Sequence, residues 1–220
     1  MNTLISDFNR AYPVYASTSF EGSCIVEEPD NLGKDALQQL VLTGFSGYGF
    51  PHELVAKTAS FANSAQPLSS GEDSIAVMRL DCDKIILFER DGQKYMLFCE
   101  LKSTFSADVI AKAKDQIVGS IVKMRSLLQT LQTYNFSEYK PIGLIVSFQP
   151  TEEQMNMVSK NEDHKSAFAV RLHSKKKYTM PSSRTNRYFY PLNVGDVDLF
   201  YFAVPDRQKS YKVDINSIIR

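Results

Sequence analysis

The alternation of apolar and polar positions is sharpest between Asp81 and Lys102, DCDKIILFERDGQKYMLFCELK. Two apolar runs flank Asp91-Gly92, a dipeptide that favours the two-residue loop of a β-hairpin. With that loop, Arg90 faces Gln93, Asp83 falls opposite Glu100 and Asp81 opposite Lys102. Side chains alternate faces along a strand. One face therefore reads Asp81, Asp83, Ile85, Leu87 and Glu89 against Lys94, Met96, Phe98, Glu100 and Lys102. Its middle is apolar, and one end collects three carboxylates and a lysine. Cys82 and Cys99 are expected on the opposite face, in the core.

Other elements follow from the same patterning. Residues 1–33 carry no clear period beyond a short strand near SFEGSCIVEEP and a turn at 29–33. KDALQQLVLT (34–43) predicts a helix with Leu37, Leu40 and Val41 on one face. GFSGYGFP then reads as a connection between helices; it lacks the Gly-Lys-Ser/Thr of a phosphate loop. Residues 51–64 predict a second helix, with Pro51 suited to its first turn and Leu54, Val55, Thr58 and Phe61 as its apolar stripe. SIAVMRL (74–80) predicts a strand leading into the hairpin. Ser106 is a plausible N-cap for a helix reaching about Thr133, with Ile110, Ala113, Ile117, Ile121, Met124, Leu128 and Leu131 at spacings of three and four. The continuous apolar run 140–148 predicts a buried strand. Residues 194–206 and YKVDINSII predict two late strands. The order helix, three strands, helix, strand (αβββαβ) implies an α/β fold, a mixed central β-sheet flanked by helices.

Length and charge refine this picture. A chain of 220 residues with 43% hydrophobic residues predicts one domain. Its core spans about 51–148, after a helical or irregular extension (1–50) and before a basic, aromatic C-terminal subdomain (149–220). Lys plus Arg equals Asp plus Glu at 25 each, which argues against a uniformly basic nucleic-acid binder but allows a local patch. Such a patch lies between Lys160 and Arg187, where Lys175, Lys176, Lys177, Arg184 and Arg187 stand near Tyr178, Tyr188, Phe189 and Tyr190. Basic groups pair with phosphates and aromatic rings stack on bases. Three scattered cysteines suggest neither a disulfide framework nor a zinc site. No signal peptide and no membrane-spanning run are visible, so the expectation is a cytoplasmic protein without membrane contact. The three histidines, His52, His164 and His173, offer no context for Ser-His or Cys-His catalysis.

The end of the hairpin is where chemistry is expected. Opposed carboxylates repel across a hairpin, and burial raises the pKa of one of them. A divalent cation relieves that repulsion, and hard oxygen ligands suit magnesium, manganese or calcium. Lys102, one pleat beyond Glu100, is placed to hold a water or to offset developing negative charge.

Asp83, a hairpin, Glu100-Leu101-Lys102, then a helix carrying Gln116: this pattern resembles the PD-(D/E)XK nuclease superfamily, over roughly residues 51–148. Cys82 stands where the motif's name has proline. The resemblance implies a restriction-endonuclease-like core and magnesium-dependent hydrolysis of phosphodiester bonds, DNA before RNA, in a prokaryotic defence or repair system. It implies Asp83 and Glu100 as metal ligands, the Leu101 carbonyl as a third, Lys102 as the catalytic lysine and Gln116 beside the site. Asp81 is the alternative to Asp83. Glu53 is the candidate for a further ligand from the preceding helix, ahead of Glu72 or Asp73. A protein partner or homodimer is compatible with this role. The rival expectation is an inactive nuclease-fold module that binds nucleic acid or a partner protein.

Overall fold

The computed structural model describes residues 1–28, 36–51, 54, 80–182, 194–205 and 207–219. Within them the chain is a mixed α/β fold of three layers: helices, a seven-stranded sheet, and a second sheet of three strands. The predicted strand 74–80, apart from Leu80, and the predicted helix 51–64, apart from Pro51 and Leu54, lie outside the described residues, as do Glu53, Glu72 and Asp73.

The hairpin is the middle of the large sheet. Strands β5 (Lys84–Arg90) and β6 (Gln93–Lys102) pair antiparallel with Arg90 opposite Gln93 and Lys84 opposite Cys99. Asp91 and Gly92 both take positive φ, 51° and 74°, the backbone of a primed two-residue turn. β6 continues through helix α2 (Ala107–Leu128) into β7 (Tyr139–Phe148), which lies parallel to it. This is the expected crossover. The Ser106 side chain accepts the Val109 amide at 3.3 Å, capping α2 as predicted. The helix stops at Leu128, short of Thr133, where the Thr130 hydroxyl donates to the freed Leu127 carbonyl at 2.7 Å.

The sheet order is β1-β4-β5-β6-β7-β9-β8, where β1 is Thr18–Phe20, β4 Gly47–Phe50, β8 Lys177–Met180 and β9 Val197–Val204. One face, bearing Ile85, Leu87, Met96 and Phe98, packs on α2, on α1 (Asn2–Ala11) and on α4 (His164–Lys175). A short helix, α3 (Glu152–Lys160), precedes α4. The other face, with Ile86, Phe88, Leu97 and Cys99, packs on the second sheet. β5 to β7 are therefore buried on both sides, which accounts for their continuous apolar runs.

The second sheet corrects the reading of 34–43. Residues Gln39–Thr43 form β3, antiparallel to β2 (Ser23–Glu27) and parallel to β10 (Ser210–Asp214). Leu40 and Leu42 are buried and their neighbours only partly so. The operative period is two, and β-branched Val41 and Thr43 suit it. The predicted helix stripe at Leu37, Leu40 and Val41 does not form. After β10 the chain turns into a short helix, α5 (Ile215–Ile218), in place of a strand through YKVDINSII.

GFSGYGFP is likewise a strand. β4 pairs antiparallel with β5, and a Cβ on Gly47 would lie 2.2 Å from the Leu87 carbonyl oxygen. Only glycine lets the two backbones approach so closely. Gly47→Ala is expected to destabilise the protein by about 2–3 kcal/mol, read as a lower urea midpoint at unchanged slope. A midpoint equal to wild type would place β4 wrongly.

Cys99 sits in the core facing the second sheet, as expected, but Cys82 belongs to the helix-side core. Strict alternation ends at Lys84, where β5 begins, so Cys82 is not bound by it. Among the described residues no helix is long and apolar enough to cross a membrane.

Candidate metal and phosphodiester site

The site is built where β6 ends and the chain enters β5. Tertiary contacts hold the entering segment, residues 80–83, because it is not yet a strand. Three polar residues of α2 do this. Gln116 Nε2 donates to the Asp81 carbonyl at 2.8 Å, the Cys82 amide donates to Ser120 Oγ at 2.8 Å, and Lys123 Nζ donates to the Leu80 carbonyl at 3.0 Å. Lys123 also forms an ion pair with the Asp81 carboxylate. Burial pushes the Lys123 ammonium down to about 8, and the Asp81 carboxylate against it works the other way. Gln116, Ser120 and Lys123 are spaced four and three apart, so they form a polar stripe along one helix face. Ser120 and Lys123 were not among the predicted site residues. That spacing, interrupting an apolar face, is the signal that could have found them.

Asp83 follows directly. Its amide donates to the Cys99 carbonyl at 2.9 Å, and its Oδ2 accepts the Leu101 amide at 2.6 Å. The side chain thus turns towards the end of β6, and the residue is only 8% exposed. Glu100 is fully buried. Its Oε1 is paired with the Lys102 ammonium, while Oε2 is buried with no hydrogen-bond partner among the described residues. Burial raises the Glu100 carboxyl to about 8; the Asp83 charge adds to the rise and Lys102 opposes it. The Lys102 side chain is 14% exposed, so its ammonium reaches the edge of the site. Gln116 Oε1 is a second buried oxygen without a partner among the described residues.

The structure therefore brings together Asp83, Glu100, Leu101 and Lys102, with Gln116 one contact away through Asp81. Asp81 does not face Lys102 as the hairpin register suggested, because Lys123 draws it towards α2. Glu53 lies outside the described residues. Among the described residues no three His, Cys, Asp or Glu side chains form a metal-holding group. Two carboxylates with water in the remaining positions still suit magnesium, which retains much of its hydration shell. The fit rests on Glu100 Oε2: a buried carboxylate oxygen lacking a protein donor is where a cation or its water is accommodated.

The basic run does not make one patch. Lys175 closes α4 and is exposed. Lys176, in the left-handed conformation at φ 57°, lies over the Tyr201 ring at 4.9 Å on the helix side of the sheet. Lys177 starts β8 and turns to the other side, over the Phe200 ring at 5.3 Å and 3.0 Å from Asp198. Lys176 and Lys177 therefore lie on opposite sides of the sheet, and the three consecutive lysines do not share one surface. Arg184 and Arg187 lie outside the described residues.

No protein-family model, no curated protein and no solved structure matches this chain.

Proposed function

We propose that the chain is a metal-dependent nuclease that hydrolyses phosphodiester bonds in nucleic acid, DNA before RNA, in a prokaryotic defence or repair setting. The observation that carries this reading is the fully buried Glu100, with one oxygen on Lys102, the other without a partner among the described residues, and Asp83 beside it. A purely structural ion pair has no need of the second carboxylate or of the orphaned oxygen.

Asp83 and Glu100 would hold magnesium, or manganese in its place, which supplies a bound water of lowered pKa and polarises the phosphate. The chain's own groups do the rest. The Leu101 amide fixes the Asp83 carboxylate in one orientation. Lys102 orients the attacking water from the rim of the site and offsets the charge that develops on the phosphate. Gln116 holds the segment that carries Asp83 and keeps its own Oε1 towards the buried side. Lys175 and Lys176 would meet a phosphate backbone on the helix side. Lys177 serves a different face.

Incubation of single- and double-stranded DNA and RNA with the protein tests this reading. Cleavage is expected with magnesium or manganese and not with chelator, and Asp83→Asn should lower it by about a hundredfold or more. Cleavage that survives chelation or Asp83→Asn would sink the proposal. A folded protein that binds these substrates yet cuts none would favour an inactive binding module.

A further inference from the structure

A second cleft lies on the opposite face of the large sheet, at the end bearing the hairpin turn. It encloses about 490 Å³, the open mouth included, between Arg90, Tyr95, Lys140, Lys177, Asp198 and Phe200. Tyr95 precedes Glu100 by five residues and points to the other face, so the cleft is ~16 Å along the strand from the acid cluster and behind it. No single ligand reaches both.

Among the described residues, cations outnumber carboxylates in this cleft. Lys140 and Lys177 both direct their ammonium groups at the same oxygen, Asp198 Oδ2, at 3.1 and 3.0 Å. The other oxygen accepts the Thr179 hydroxyl at 2.7 Å. One carboxylate thus stands against two cations, each with two further N–H donors. Both lysine side chains are nearly half exposed, so those donors are reachable from the cleft. Arg90 adds a third cation, and Asp91, 3.4 Å from it, a second carboxylate at the exposed rim. One of the Arg90 nitrogens is fixed on the Ile219 carbonyl at 2.7 Å, which anchors the guanidinium at the rim. The cleft also has a flat apolar side. Tyr95, partly exposed, is stacked on Phe88 at 5.2 Å and 18°, while Phe200 is buried beneath Lys177 and forms the floor. Aromatic rings braced by core neighbours offer π-faces at low entropic cost.

We propose that this cleft binds a phosphate monoester carrying a planar ring, that is, a nucleotide. The phosphate bridges Lys140 and Lys177 opposite Asp198, within reach of Arg90, and the base lies along Tyr95. A free mononucleotide and the 5′-phosphorylated end of a strand share this chemistry. The site is independent of the acid cluster and of any cleavage there.

Titration of the ¹⁵N-labelled full chain, with chelator present, tests the inference. The probes are adenosine and thymidine 5′-monophosphates, adenosine, inorganic phosphate, and a dinucleotide with and without a 5′-phosphate. The monophosphates should bind saturably and shift the amides of Tyr95, Ile142 and Phe200. Adenosine and inorganic phosphate should each bind at least about tenfold more weakly. Lys140→Gln with Lys177→Gln should weaken the monophosphates by about tenfold, with the amide spectrum away from the cleft showing that the double variant is folded. Tyr95→Leu should weaken the monophosphates and leave inorganic phosphate unchanged. A phosphorylated dinucleotide binding better than the mononucleotides assigns the site to strand ends, and the reverse order assigns it to free nucleotides. The inference is overturned by no saturation up to ~1 mM, by shifts elsewhere, by unchanged affinity in the double lysine variant, or by inorganic phosphate binding as well as the monophosphates.

Discussion

Lys102→Ala is expected to lower divalent-dependent cleavage by about 10²–10⁴-fold while leaving the protein folded. The side chain is partly exposed and makes its ion pair with Glu100 at the end of β6, so its removal opens no core cavity. Two effects follow, and they separate experimentally. The first is loss of the cation that orients water and offsets charge in the transition state; it appears at saturating metal as a lower turnover. The second is loss of the counter-charge on Glu100. With Lys102 gone, burial and Asp83 act on Glu100 unopposed, so its carboxyl rises further. The variant should therefore need more magnesium at neutral pH, and the excess requirement should shrink as pH is raised, because a metal ligand must be deprotonated. Measuring rate against magnesium at two pH values distinguishes the two. If Lys102→Ala cleaves like the wild type at saturating metal, the lysine has no part in the chemistry.

How much of this was legible depends on whether local rules acted alone. The Asp91-Gly92 turn is a local device, and it fixed the pairing from Arg90 opposite Gln93 to Lys84 opposite Cys99. The sorting of Ile85, Leu87, Met96 and Phe98 from Ile86, Phe88, Leu97 and Cys99 then followed from the pleat. Glu100 and Lys102 lie inside that strand and could be placed. Asp81 and Cys82 lie just before it, where contacts from Gln116, Ser120 and Lys123 replace strand geometry. Extending the alternation to them was the error. The stretch Leu40–Thr43 satisfied two periods at once. The helical one matched Leu37, Leu40 and Val41, but β2 and β10 decide the outcome, and β10 lies about 170 residues further on. No local pattern reports a partner at that distance. The run Lys175–Lys177 misled for a related reason: charge clustered in sequence spreads over two faces once α4 ends in a left-handed residue and β8 begins.

Glu100 also makes a prediction that does not depend on activity. Its carboxyl stands near 4.5 in an unfolded chain and at about 8 in the fold, raised chiefly by burial. The folded state therefore holds a proton that the unfolded state has lost throughout that window. Stability must fall as pH rises from 4.5 to about 8, and level off outside these limits, with a slope of up to ~1.4 kcal/mol per pH unit. The total is on the order of a few kcal/mol, a shift of about 5–15 °C in Tm for a chain of this size. Other groups titrate in the same range. His173 is lowered by burial and acts in the opposite sense. The informative quantity is thus the difference between wild type and Glu100→Gln, which cancels them. In chelator the variant should gain on the wild type steadily from pH 4.5 to 8. Magnesium should then restore the wild type at pH 8, since a bound cation takes the place of the proton, and should do little for the variant. A constant Tm difference across the pH range would mean that Glu100 is ionised throughout, held by Lys102 alone. Magnesium leaving the wild type unchanged at pH 8 would remove the metal from the site whatever nuclease assays show.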